Sequence, residues 1–227
     1  MIKLIALITM IIDHIGVVII NSIPYAHDTV FTFGRINISV YSTFRIVGRI
    51  AFPLYVFLLV EGFIHTHDRK KYGINLLIFA VISEVPWNLE HTGTMFYKEQ
   101  NVFFTLLFGY VGLCCYERFK DDRIKQLLSL SGLFIIAYIF KADYGVIGYA
   151  FILFMYTFRT EKIVRSIVGS CFFSLQPVIL FSFLLMSLYN GERGFIKGKT
   201  LKYLFYAAYP MHIFVLYLIK LKYIGYS

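Results

Sequence analysis

Apolar residues run along this chain in long blocks separated by short polar, mostly basic turns. The blocks approach the roughly 20 residues that an α-helix needs to cross a ~30 Å hydrocarbon core. They predict about eight transmembrane helices, over residues 3–21, 46–65, 72–90, 101–117, 124–140, 144–158, 164–189 and 203–221. The fifth and sixth are joined only by Lys141-Ala142-Asp143, which demands a tight helical hairpin. The seventh carries Gln176-Pro177 and reads as one kinked, tilted helix, with a helix followed by a re-entrant piece as the alternative.

Composition agrees with that pattern. Hydrophobic residues make up 59% of the 227 positions and charged residues 15%, too few charges to cover a soluble domain of this size. No linker or composition break divides the chain, so residues 1–227 read as a single all-α integral membrane domain in contact with the lipid bilayer. The net charge of +9 sits in short clusters between apolar runs, as membrane topology requires, and does not point to nucleic acid. Cys114, Cys115 and Cys171 all fall within apolar blocks and read as small buried hydrophobes rather than a disulfide framework. Asp13-His14 interrupts the first apolar block, which reads as an uncleaved span rather than a signal peptide.

The positive-inside rule puts the N-terminus in the cytoplasm of a multi-pass protein of the cell membrane. Arg69-Lys70-Lys71, the Arg118–Lys125 turn, Arg159, Lys162, Arg165, Lys220 and Lys222 then lie inside. Arg35, Lys98 and Lys141 lie outside, together with a discordant cluster of Arg193, Lys197, Lys199 and Lys202. Two crossings by 164–189 would remove the discord and turn the C-terminus outward. Twenty-six residues are short for that, so the expectation is eight spans with both termini inside.

Candidate chemistry lies within the spans. At 1.5 Å per residue, His14 lies roughly 17 Å from the inner end of its helix and Glu84 roughly 18 Å. His212, entering from outside, lies about 14 Å deep, and Arg45 and Arg49 are shallower. Asp13, His14, Glu84 and His212 thus share a layer near the midplane, with Arg49 above it. Ionisable residues cost free energy at that depth and mark buried polar sites. Taken singly, His14 is a core histidine bonded to a carbonyl, Arg49 an interfacial residue, and Glu84 a partner for backbone freed by Pro86. Asp13 and His14 are adjacent, so they point about 100° apart; Asp13 is then better placed to pair with Arg45 or Arg49. His65-Thr66-His67-Asp68 has a metal-like spacing but no further ligand nearby, and no metal is expected. No Walker, Rossmann or nucleophile-elbow motif is present.

Eight sequence blocks carry a resemblance. They are Ile8–Gly16 with its Asp13-His14, Arg45–Pro53, Glu61-Gly62-Phe63, Ser83–Asn88 with its Trp87-Asn88, Asn101–Thr105, Ala142–Gly145, Tyr189–Gly194 and Phe205–His212. In this order they resemble the TraX family, multi-spanning proteins whose name-giving member N-acetylates the amino terminus of a conjugative pilin, and more widely the membrane-embedded acyltransferases. The resemblance implies an acetyltransferase using cytoplasmic acetyl-CoA, with a peptide amino terminus, amino sugar or sugar hydroxyl as acceptor. His14 is then the general base, with His212 the second candidate. Arg49 or Arg45 stabilises the oxyanion, and Asp13 and Glu84 orient the base or hold the arginines. Arg69, Lys70 and Lys71 meet the coenzyme phosphates. Glu61, Trp87, Asn88, Asn101, Asp143, Tyr144, Asn190, Arg193 and Tyr206, from the same blocks, are candidates to line the acceptor site. The competing class is a small proton-coupled transporter with the same Asp, Glu and His residues on a proton path.

Overall fold

The computed structural model describes residues 1–34, 36–173, 176–191 and 198–225. Helix α1 (Ile2–Val18) leads through a short 3-10 turn (Ile20–Ser22) to a β-hairpin, β1 (Thr29–Phe33) and β2 (Ile36–Ser39). Helices α2 (Val40–Gly48), α3 (Ala51–His65), α4 (Arg69–Thr92), α5 (Val102–Arg118), α6 (Arg123–Phe140) and α7 (Gly145–Thr157) follow. Two short helices, α8 (Lys162–Cys171) and α9 (Pro177–Ser187), precede the long α10 (Lys199–Tyr223). Among the described residues, five segments are long and apolar enough to cross a membrane: Ile2–Ser22, Val40–His65, Arg69–Thr92, Arg123–Phe140 and Thr200–Tyr223. Helices α7 and α9 are apolar but shorter.

Local chemistry sets the boundaries. Asp68 accepts a hydrogen bond from the Lys71 amide at 2.8 Å and opens α4; Asp122 does the same for Lys125 at 3.1 Å and opens α6. Ser39 and Ser42 form a reciprocal capping box that converts β2 directly into α2. Between α6 and α7 the chain turns through Lys141 and Tyr144, both at positive φ (49° and 62°), the tight hairpin that the short spacing requires. Tyr144 lies flat on Phe52, ring centroids 3.7 Å apart, which offsets the left-handed backbone.

Close approach of helices follows small residues, as expected where lipid competes with apolar side chains for the same surfaces. A Cβ on Gly16 would collide with Phe44, and one on Gly48 with the Asp13 carboxylate, so α1 and α2 pack with hardly a gap. Gly109 and Gly112 of α5 similarly receive Ile152 and Tyr149 of α7. Large aromatic and aliphatic side chains, among them Phe63, Tyr110, Phe151, Ile152 and Phe183, fill the centre. Ile124, Leu127, Leu128, Tyr138 and Ile139 of α6 point outward, where acyl chains would cover them.

The contacts also fix helix directions. Gly16 meets Phe44 and Asp13 meets Gly48, so α1 runs antiparallel to α2. Tyr110 of α5 donates to the Arg69 carbonyl at 2.8 Å while Asn101 meets Ala80, so α4 and α5 are antiparallel. On α10, Lys202 lies over Tyr72 at the start of α4, Tyr206 stacks on Phe79, and Lys220 reaches Glu90 near the end of α4. Helix α10 therefore runs parallel to α4, which corrects the expected topology.

The reason lies in segment 164–189, expected as one span. It is two helices, broken where Pro177 opens the first turn of α9. Arg165 of α8 lies over Phe57 and Phe173 beside Phe52, so α8 climbs away from the basic turns. Ser182 of α9 donates to the Ile50 carbonyl and Tyr189 meets Phe57, so α9 comes back. This helical hairpin returns the chain to the end bearing Arg69–Lys71, where α10 starts. Lys202 thus belongs with the basic turns, and Lys220 and Lys222 lie at the opposite end, the reverse of the expectation. Of the discordant cluster, Arg193 and Lys197 lie outside the described residues.

Candidate functional site

Helices α1 and α10 bring His14 and His212 together edge to face, ring centroids 4.7 Å apart, with the Tyr209 ring 5.9 Å from His14 and 5.7 Å from His212. Each imidazole is anchored one helical turn back: His14 Nδ1 on the Met10 carbonyl at 2.9 Å, His212 Nδ1 on the Ala208 carbonyl at 2.7 Å. A carbonyl only accepts, so both Nδ1 atoms carry the proton in the neutral rings, and both Nε2 atoms are left with a lone pair. His212 Nε2 is buried without a hydrogen-bond partner. The two histidines meet with α10 entering from the other end than expected: His212 stands near the middle of a 25-residue helix, so reversing the helix keeps it within reach of His14.

Asp13 faces away from His14 and takes Arg45 in an ion pair of 2.6 Å, one of the two partners its helical position allows. Its second oxygen, Oδ1, is buried against Gly48 without a hydrogen bond. Arg45 is therefore committed to Asp13. Arg49, exposed at the end of α2, interacts electrostatically with Asp13 and with Tyr144.

Glu84 has a different setting. Its Oε1 accepts from the Asn101 amide at 3.0 Å and from Asn101 Nδ2, and Asn101 Nδ2 also reaches the Ala80 carbonyl at 2.8 Å. Asn101 caps α5 through its Oδ1. Glu84 and Asn101 thus bolt α4 to the start of α5. Trp87 Nε1 on the Glu99 carbonyl and Asn88 Nδ2 on the Met95 carbonyl hold the loop between those helices. Asp143 continues this layer: its amide donates to Gln100 at 2.8 Å and its carbonyl accepts from Thr105. Burial pushes the Asp143 carboxyl up to about 6.

The remaining expected residues divide between the two ends. Glu61 lies in the half of the bundle near the basic turns, 3.5 Å from His65 and electrostatically paired with the buried Arg165. Tyr206 packs on Phe79 and Tyr72 in that same half, and Asn190 follows Tyr189, which meets Phe57. Arg193 lies outside the described residues. Trp87, Asn88, Asn101, Asp143 and Tyr144 sit at the other end, so the candidates for the acceptor do not form one cluster. Arg69, Lys70 and Lys71 open α4 at the basic end, with Lys202 near them. No group of three or more possible metal ligands occurs among the described residues.

A second ionic cluster had no forecast. Glu90 of α4 is the only buried acidic residue among the described positions; it meets His91 Nδ1 at 2.8 Å and Lys220 Nζ at 3.9 Å. The His91 ring lies between Trp87 (4.0 Å) and Tyr97 (4.8 Å). Glu90 also interacts electrostatically with His14.

The family described as "TraX protein" matches residues 1–220. A probable fimbrial assembly protein FimC, serogroup H1, from Dichelobacter nodosus is 25% identical, covering 94% of this chain and 92% of the relative. No solved structure matches. A family match over nearly the whole length, running through both histidine-bearing helices, settles the assignment: the chain is a member of the TraX family of multi-pass membrane proteins.

Proposed function

We propose that this protein is an integral-membrane acetyltransferase that moves an acetyl group from acetyl-CoA to an amine or hydroxyl acceptor. The observation that carries the reading is the His14–His212 pair, two imidazoles brought together from two apolar helices with both Nε2 lone pairs left over from their backbone anchors. In such a reaction the acceptor N–H or O–H breaks as His14 Nε2 takes the proton. The acceptor atom then bonds to the thioester carbonyl carbon, and the C–S bond breaks. The departing thiolate takes up a proton, for which His212 is the nearest second carrier. Arg49 is the donor for the developing oxyanion, since Arg45 is held by Asp13. Asp13 and Arg45 act together as the strut that fixes α1 against α2 beside His14. Glu84 orients the start of α5 rather than the base.

Arg69, Lys70 and Lys71, with Lys202 alongside, supply ammonium and guanidinium groups suited to the coenzyme's phosphates. By the positive-inside rule that end is cytoplasmic, where acetyl-CoA is available, and the N-terminus lies with it. The acceptor then arrives from the end bearing Trp87, Asp143 and Tyr144. The relative named as a fimbrial assembly protein is compatible with a peptide acceptor exposed on the far side of a bacterial inner membrane. An amino sugar or sugar hydroxyl satisfies the same chemistry.

A second reading, a proton-coupled transporter, draws on the short α8–α9 hairpin, because discontinuous helices recur in transporter sites. Titration of purified protein with acetyl-CoA, CoA and a control nucleotide separates the two readings. A ligand at a hundredfold over its Kd raises folding stability by about 2.7 kcal/mol, visible as a higher Tm. Selective stabilisation by CoA compounds, weakened when Arg69, Lys70 and Lys71 are replaced by Gln, supports the acetyltransferase. No shift at millimolar ligand in folded protein rejects it in favour of the transporter.

A further inference from the structure

The histidine pair offers lone pairs, and the reaction it would serve also calls for a donor. With both Nδ1 protons given to the Met10 and Ala208 carbonyls, the neutral rings of His14 and His212 have only acceptors left. A thioester carbonyl oxygen likewise only accepts. A hydrogen-bond donor for that oxygen must come from another side chain. Arg45 is bound to Asp13, and Arg49 stands exposed at the end of α2.

Tyr209 touches both imidazoles. It precedes His212 by one helical turn, so the two side chains share a face of α10. Its ring meets His14 at 5.9 Å, His212 at 5.7 Å and Phe103 of α5 at 5.3 Å, each edge to face. The residue is 3% exposed, and its hydroxyl is buried without a hydrogen-bond acceptor among the described residues. The Val102 amide at the start of α5 faces the hydroxyl oxygen, but an amide N–H can only donate to it. The carboxylates within electrostatic reach have other partners: Glu84 accepts from Asn101, and Asp143 accepts from the Tyr144 amide. His212 Nε2, itself buried without a partner, does not take the proton either.

Packing does not account for this hydroxyl. The three ring contacts belong to the aromatic ring, and phenylalanine would make them equally well. A buried O–H with no acceptor costs free energy that phenylalanine would avoid. Donor and acceptor stand one turn apart on the same helix face and leave each other unpaired, which suits a third group that engages both.

We propose that Tyr209 is a catalytic residue whose hydroxyl donates to the thioester carbonyl oxygen of the acyl donor, as a second donor beside Arg49. The role rests on the acetyltransferase reading and names a donor inside the bundle for it. As the acceptor atom bonds to the carbonyl carbon, the C=O π pair moves onto oxygen and the Tyr209 hydrogen bond strengthens around that charge. The acceptor's proton passes to His14 Nε2. When the C=O bond reforms, the C–S bond breaks and the thiolate leaves with a proton from a histidine. Tyr209 keeps its own proton throughout.

The test compares full-length wild type with Tyr209→Phe in detergent, using acetyl-CoA labelled with 13C at the thioester carbonyl and no acceptor. Isotope-edited infrared spectroscopy reads the carbonyl stretch of the bound ligand. The expected wild-type band lies at lower wavenumber than that of free acetyl-CoA, and in Tyr209→Phe it returns towards the free position. The variant's Tm without ligand should equal or exceed that of the wild type, and CoA compounds should still raise it. With an acceptor present, kcat should fall about 10²–10³-fold with little change in KM. Bound ligand with the same carbonyl band in both proteins overturns the Tyr209 role and leaves the acetyltransferase reading intact. A variant that no longer folds also overturns the role, because the hydroxyl then has a structural partner. If neither CoA compound binds folded wild type, the acetyltransferase reading fails and the Tyr209 role fails with it.

Discussion

Replacing Arg45 by Met removes the guanidinium from the Asp13 pair while keeping an unbranched side chain of similar reach. The ion pair is 2.6 Å long, with Asp13 20% exposed and Arg45 31%. Fully exposed pairs contribute about 0–1 kcal/mol, whereas stranding one partner of a buried pair costs about 3–5 kcal/mol. This pair lies between those limits, and Asp13 Oδ1 already lacks a hydrogen bond, so losing Arg45 leaves the carboxylate with no strong partner. The expected loss for Arg45→Met is about 2–3 kcal/mol. Asp13→Asn removes the charge that needs a partner, so the double variant Asp13→Asn/Arg45→Met is less damaged than the two single effects added together. Reversible unfolding in mixed micelles gives all four corners of the cycle. The reasoning predicts a coupling energy of at least about 1 kcal/mol, and a coupling under about 0.5 kcal/mol, the scale of ordinary additivity, refutes it.

Gly48→Ala should cost about 1–3 kcal/mol in the same assay, because the added methyl overlaps the Asp13 carboxylate and forces α1 from α2; a neutral result shows that the helices are not tightly apposed. Asp143 gives a pH signature. Its folded value of about 6 lies above the reference of 3.8, so its burial is fully tolerated below pH 4 and costs stability as pH rises towards 6 and beyond. Asp143→Asn should therefore match the wild type in Tm at pH 4 and exceed it at pH 7.5, and a gap that does not change with pH contradicts the assignment. Single cysteines at Lys70 and Lys222, in a background lacking Cys114, Cys115 and Cys171, should react with impermeant reagent from opposite sides of the membrane. Labelling of both from the same side would restore the topology with both termini on the same face.

The sequence already carried most of the helical layout, because apolar block length and basic turns are set by bilayer thickness and charge asymmetry. The exception is 164–189. Its length favoured one crossing, yet Pro177 opens a new helix, and the discordant basic cluster after Tyr189 was the signal that the chain had already turned back. The hairpin of β1 and β2 had no forecast: Thr29–Phe33 is only five residues long, and its Val30 and Phe31 are both exposed, so no burial pattern marks it in the sequence. Asp13–Arg45 was legible as one of two options, since adjacent residues on a helix diverge by about 100°. Glu84 was expected in one layer with the histidines, but its hydrogen bonds to Asn101 follow from the tertiary approach of α4 and α5. Glu90, His91 and Lys220 were invisible for a similar reason. They lie at helix ends, and a reversed α10 would separate Lys220 from Glu90 by the thickness of the membrane.

The most direct measurement is acetyl release from labelled acetyl-CoA by purified protein with a panel of peptide, amino-sugar and sugar acceptors, comparing the wild type with His14→Ala and His212→Ala. The account predicts acceptor-dependent transfer that is abolished by His14→Ala and strongly reduced by His212→Ala, with both variants folded. Undiminished transfer in folded His14→Ala protein, or none in the wild type with any acceptor, contradicts it.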